Sequence, residues 1–123
     1  MPRVLIVDDQ PDIRRLIRMT LEEEPFELQE AADGDEALAV VAAWRPDLIL
    51  LDVMMPGRHD GLQVCASVRA DPALAATRVV LLSARADGGD REAGRAAGAD
   101  EYLTKPFSPL QLLETIDRLL PTA

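Results

Sequence analysis

The chain has 123 residues, enough for one ordinary domain, and its apolar share of 48% with an aromatic share of only 3% implies a core of Val, Leu, Ile, Ala and Met. A formal net charge of −9 argues against binding a phosphate backbone by charge attraction, so direct nucleic-acid binding is not expected. One cysteine, Cys65, rules out an intramolecular disulfide, and no apolar stretch approaches the ~20 residues of a membrane span; a cytoplasmic protein with no membrane partner is the expectation.

In chain order, V-L-I-V (4–7) opens as a strand and is followed at once by Asp8 and Asp9. A continuous apolar run suits a strand buried on both faces of a parallel sheet. A helix begins near Pro11, since proline fits a first turn, with Ile13, Leu16, Ile17, Thr20 and Leu21 on one face. F-E-L-Q-E-A (26–31) alternates, as an edge strand does. Gly34–Ala43 reads as a second helix, ended before Arg45-Pro46. L-I-L-L (48–51) is a second buried strand, followed by Asp52. Gly61–Arg69 reads as a helix stopped by Asp71-Pro72, and V-V-L-L (79–82) as a strand followed by Ser83. Gly89–Ala97 reads as a fourth helix with Gly98 at its C-terminus. The glycines at 88, 89 and 94 make it the least stable, since each interior glycine costs about 1 kcal/mol against alanine. D-E-Y-L-T (100–104) is a short edge-like strand ending at Lys105. Leu110, Leu113, Ile116 and Leu120 mark a fifth helix stopped by Pro121.

This is β-α repeated five times, which predicts a doubly wound (βα)5 α/β sandwich with right-handed crossovers, one domain over 1–123. Weak strands at second and fifth place suit the spatial order 2-1-3-4-5, the flavodoxin-like arrangement. Ligands of such sheets bind outside the carboxyl ends of the strands. Four strand ends then deliver Asp8, Asp9, Asp52, Ser83 and Lys105 to one rim. Carboxylates so crowded should raise at least one pKa unless a cation relieves them, and a hard, oxygen-loving ion such as Mg²⁺ fits that role.

The motifs V-L-I-V-D-D (4–9), L-I-L-L-D-V-M-M-P-G (48–57), L-L-S-A (81–84) and G-A-D-E-Y-L-T-K-P-F (98–107), in this order and spacing, resemble the receiver domains of two-component response regulators, the chemotaxis regulators among them. The resemblance covers essentially the whole chain. It implies that Asp52 is the phosphoacceptor, that Asp9 binds Mg²⁺ directly and Asp8 through water, and that the Met54 backbone carbonyl is a further ligand. Ser83 would bond the phosphoryl group and Lys105 would pair with it. Lys105 is the one lysine among thirteen basic side chains; its compact ammonium suits a site shared with a metal and a phosphoryl group better than a broad guanidinium would. Lys105–Pro106 is expected to be cis. Asp52 would attack phosphorus on a phosphohistidine of a sensor histidine kinase, on a phosphotransfer protein or on a small acyl phosphate, giving an acyl phosphate. The domain would catalyse its own phosphorylation and dephosphorylation only.

The same resemblance assigns the output switch to Ser83 and Tyr102, on a face made by the fourth helix, fifth strand and fifth helix, where a homodimer could form through Arg91, Arg95, Asp100, Glu101, Asp117 and Arg118. Small Ala84 would leave the phosphoryl pocket open, and Met54 and Arg85 occupy positions that tune phosphoryl lifetime in the family. Gln10 stands where the family usually has a further acid. The G-R-H-D-G loop (57–61) is one residue longer than the common form and carries His59, the sole histidine, expected at the surface. Cys65 and Trp44 read as packing residues. Two rivals keep the fold class and change the function. A haloacid-dehalogenase-like phosphatase would need D-x-D on the first strand, where this chain has adjacent acids; a binding-only pseudo-receiver would lack an acid, acceptor or lysine, and none is missing.

Overall fold

The computed structural model describes residues 1–84 and 88–120. The described elements are β1 (Arg3–Val7), α1 (Pro11–Leu21), β2 (Glu27–Ala31), α2 (Gly34–Trp44), β3 (Leu48–Asp52), α3 (Gly61–Ala70), a 3-10 turn (Pro72–Leu74), β4 (Arg78–Ser83), α4 (Gly88–Ala96), β5 (Glu101–Thr104) and α5 (Pro109–Leu119). The five strands form one parallel sheet in the order β2-β1-β3-β4-β5, as the edge-strand reading predicts. All five residues of β3 are buried, whereas β2 alternates and every residue of β5 is half-buried. A central strand covered on both faces needs a continuous apolar run, and an edge strand does not.

Two aliphatic layers sandwich the sheet. On one face Val4, Ile6, Leu48, Leu50, Val80 and Leu82 meet Ile17 and Leu21 of α1 and Leu112 and Ile116 of α5. On the other, Leu5, Val7, Ile49, Leu51, Val79 and Leu81 meet Ala37 and Val41 of α2 and Val64, Cys65 and Val68 of α3. Cys65 is fully buried, and that burial pushes its thiol up to about 11. Trp44 is half-buried against the second layer, with the Arg3 guanidinium 5.8 Å above its ring.

Local chemistry sets the helix ends. Pro11 occupies the first turn of α1. Asp33 caps α2 by accepting the Glu36 N–H, and Asp60/Gln63 and Ser108/Gln111 form reciprocal capping boxes on α3 and α5. The C-terminus of α4 is a Schellman motif: Gly98, at φ +97°, donates to the Arg95 carbonyl, and Ala99 N–H to that of Gly94. A Cβ at Gly98 would collide with the Arg69 side chain, so the helix end rests on that side chain. One expectation fails on α1: Leu16 is 53% exposed, because the helix presents Ile13, Ile17 and Leu21 inward and turns Leu16 outward. Arg85 and the Pro121 stop lie outside the described residues.

Candidate phosphoacceptor and metal site

The sheet order sets the ends of β1 and β3 side by side, with β4 and β5 following. Asp8 is the first residue past β1 and is completely buried. Its backbone is locked by a bond from its N–H to the Ala31 carbonyl (3.2 Å), and its carbonyl accepts from Arg14 Nη1 (2.6 Å). The Arg14 and Arg18 guanidinium groups in turn bind Glu30 at 3.3 and 2.6 Å, which ties α1 to β2 behind the site. Nothing in the spacing of Arg14 signalled this support, because its partner is a main-chain carbonyl. The Asp8 carboxylate accepts the Gln10 N–H at 2.9 Å and the Lys105 ammonium at 2.7 Å.

Asp52 closes β3 and is buried, and it accepts the Met54 N–H at 3.3 Å. Lys105 Nζ lies 3.4 Å from Asp52 Oδ1, so the ammonium spans two buried carboxylates and sits nearer to Asp8 than to Asp52. The Lys105 N–H also donates to the Ser83 carbonyl at 2.7 Å, which fixes the end of β5 to the end of β4. Ser83 is fully buried in register beside Thr104, whose buried hydroxyl has no hydrogen-bond partner among the described residues. The Lys105–Pro106 bond is cis.

Oxygens of Asp8, Asp9 and Asp52 all lie within 4.8 Å of one another. Burial, then the Asp8 charge, then a hydrogen bond with the Asp9 carboxyl push Asp52 up to about 6, against the opposing pull of Lys105 and the Met54 N–H. Desolvated acids in this position gain from a cation of high charge and oxygen preference. The donor set therefore fits a hard divalent ion: three carboxylate donors lie close together, Asp9 half-buried and Asp8 and Asp52 buried. Met54 turns its side chain to solvent at 64% exposure.

Around this centre, Tyr102 is half-buried on β5 against the second aliphatic layer, and the Arg91 guanidinium stacks 4.8 Å from its ring. Three of the charges expected to serve a dimer, Asp100, Glu101 and Arg118, are engaged within the chain. Glu101 pairs with Arg118 at 2.9 Å, and Asp100 accepts the Val79 N–H at 2.8 Å and lies 3.5 Å from Arg78. His59 lies half-exposed in the loop, as a surface position implies, with its Nδ1 2.6 Å from Asp35 on α2.

A family model described as the response regulator receiver domain matches residues 4–117. The chain belongs to that family. This receiver is 44% identical over 121 residues to the "Transcriptional regulatory protein ResD" of Bacillus subtilis, covering 98% of this chain and 49% of that protein. It is 39% identical over 120 residues to "Protein PilG" of Pseudomonas aeruginosa, covering 98% and 88%. It superimposes on the chemotaxis protein CheY4 of Vibrio cholerae with a TM-score of 0.91 at 38% identity, covering 98% and 99% of the two chains. The chain spans about half the length of several of the curated relatives it matches, ResD among them. Membership settles the rivalry with the phosphatase: the receiver is a phosphoacceptor signalling domain, of a family that generally binds Mg²⁺ and works with histidine kinases. Among the described residues no helix is long and apolar enough to cross a membrane.

Proposed function

We propose that residues 1–123 act as one receiver domain that takes a phosphoryl group onto Asp52 in a Mg²⁺-dependent step. The observation that carries this reading is the buried pair Asp8 and Asp52 bridged by the single lysine, with Asp9 beside them. An Asp52 carboxylate oxygen attacks phosphorus in line, and the bond from phosphorus to the donor breaks. The donor leaves with that electron pair as the neutral imidazole of a kinase or phosphotransfer-protein histidine, or as the carboxylate of a small acyl phosphate. Asp8, Asp9, Asp52 and the Met54 carbonyl would hold Mg²⁺, which when bound offsets negative charge on the transferring phosphoryl oxygens. Lys105, already drawn between the acids, would pair with the phosphoryl group, and Ser83 would donate its hydroxyl to it. Asp52 must be ionised to attack, and Lys105 favours that form.

The output is a change of partner. Ser83 and Tyr102 couple the site to α4, β5 and α5, and that face would bind an effector or a second copy of the chain. The domain performs no turnover beyond its own phosphorylation and dephosphorylation, binds no nucleic acid itself and works in the cytoplasm, as the lone buried cysteine suits.

Intact mass after incubation with a small acyl phosphate tests the reading. Wild type should gain one phosphoryl group only when Mg²⁺ is present, and Asp52→Asn should gain none. A gain that survives in Asp52→Asn, or that ignores Mg²⁺, would refute the assignment.

A further inference from the structure

Three observations meet at Asp35, away from the groups described as acceptor or ligands. His59 Nδ1 lies 2.6 Å from its Oδ1, and Arg58 Nε 3.6 Å from its Oδ2. Consecutive residues of the β3–α3 loop therefore engage both oxygens of one carboxylate on α2. Gly34, the residue before it, is the third observation: a Cβ there would run into the His59 main chain and its Cβ. The loop is seated on the first turn of α2 too closely for any larger residue.

Asp35 suits the task. It is the second residue of α2, where the exposed N–H groups of a helix favour a carboxylate. The His59 hydrogen bond holds its carboxyl below the usual range. An exposed Asp–Arg pair alone contributes little; the half-buried histidine and the glycine seat add the constraint that such a pair lacks.

The loop is anchored independently at both ends. Near β3, Val53 N–H bonds the Leu82 carbonyl and the Met55 side chain is buried in the core. Near α3, Asp60 and Gln63 form the capping box. Between these anchors Pro56, Gly57 and Arg58 are exposed. Together with Asp33 and Asp35 they line a groove that runs to Asp9. One wall of that groove belongs to the start of α2 and the other to the loop.

We propose that Asp35 is a positioning residue for the acidic site: through His59 and Arg58 it clamps the outer half of the β3–α3 loop onto α2 and fixes the width of the groove beside Asp9. A hydrated cation or a phosphodonor approaching Asp9 meets that groove. The inference rests on the metal reading above only for its effect on cation affinity; the clamp itself stands on the contacts of Asp35.

The test uses the full chain as wild type, His59→Ala, Asp35→Asn and His59→Asn, the last keeping an N–H donor near the position of Nδ1. Amide hydrogen exchange at residues 57–59 is measured in metal-free buffer, and the Mg²⁺ dissociation constant by calorimetry. A group one bond behind a metal ligand changes affinity about 10–100-fold, so a clamp further out should change it about three- to tenfold. His59→Ala and Asp35→Asn are expected to speed loop exchange about tenfold and to weaken Mg²⁺ binding by that smaller factor, with His59→Asn recovering most of both. Unchanged exchange in His59→Ala overturns the clamp. Faster exchange with an unchanged Mg²⁺ constant overturns its positioning role. Should wild type bind no Mg²⁺, the metal reading fails, and the exchange arm alone decides the clamp.

Discussion

The rim of the sheet has two halves built on opposite terms. At the ends of β1 and β3 the groups are buried, charged and bonded several times over: Asp8 alone engages Ala31, Arg14, Gln10 and Lys105. At α4 and β5 the strand is only half-buried, and a cavity of ≈ 200 Å³ lies among Arg91, Gly94, Tyr102 and their neighbours. One contact across that second half is a guanidinium stacked on a ring, worth about 0.5–1 kcal/mol where water reaches it. Chemistry at the first half needs groups that do not move. On the proposed reading a signal would leave through the second half, which needs side chains that can.

If that division is right, substitutions should cost most where charge is crowded. Lys105→Met should lower folding stability in metal-free buffer the most, by about 3–5 kcal/mol, because it strands two buried carboxylates. Urea denaturation at neutral pH measures it, and a loss below about 1 kcal/mol would mean the acids do not depend on the ammonium. Asp52→Asn should act in the other direction. Asp52 titrates at about 6 in the folded protein against 3.8 unfolded, so the folded form holds the proton more tightly. Its favourable contribution is complete below pH 3.8 and is lost as pH rises through about 6. The variant should therefore gain on the order of 1–3 kcal/mol over wild type at pH 7.5 and nothing at pH 3.5, as seen by denaturation across that range. Mg²⁺ should narrow the gap, stabilising wild type by about 2.7 kcal/mol at a hundredfold excess over Kd and the variant by less.

Cys65 lies in the core on α3, its thiol donating to the Ala97 carbonyl just past α4 at 3.4 Å. Burial raises its pKa from 9.0 to about 11, so its contribution is intact below pH 9 and lost as pH rises toward 11. Cys65→Ala should flatten that alkaline decline by on the order of 1–2 kcal/mol in thermal melts. Least of all should be lost on Arg91→Ala, no more than about 1 kcal/mol of stability. Its mark should instead be faster motion of the Tyr102 ring, read by NMR relaxation. A large loss of stability there would erase the contrast between the halves.

Much of this was legible from the chain. Short continuous apolar runs between turn signals suit strands covered on both faces, so β1, β3 and β4 and the polar residues that follow them could be placed from residue type and order. The alternation of β2 and the shortness of β5 gave the edges, and with them the strand order. What periodicity gives is the direction of a helix stripe and not its width, which is why Leu16 reads as buried and stands in solvent. The attachment of His59 to Asp35 joins residues 24 apart through one hydrogen bond, and no local pattern announces such a contact. The Lys105 preference for Asp8 over Asp52 depends on fractions of the reach of a flexible side chain, which spacing does not encode.

The Schellman end of α4 makes the helix a lever. Gly98 is seated on the Arg69 stem, and Arg69 Nη2 reaches on to the Thr77 carbonyl just before β4. Were α4 to tilt about that end, displacement would grow along the axis toward Gly88. The nine residues of α4 rise about 1.5 Å each, giving an arm of roughly 13 Å. A tilt of about 10° would carry the far end roughly 2 Å, the size of a side-chain rearrangement, while the fulcrum at Gly98 stayed still.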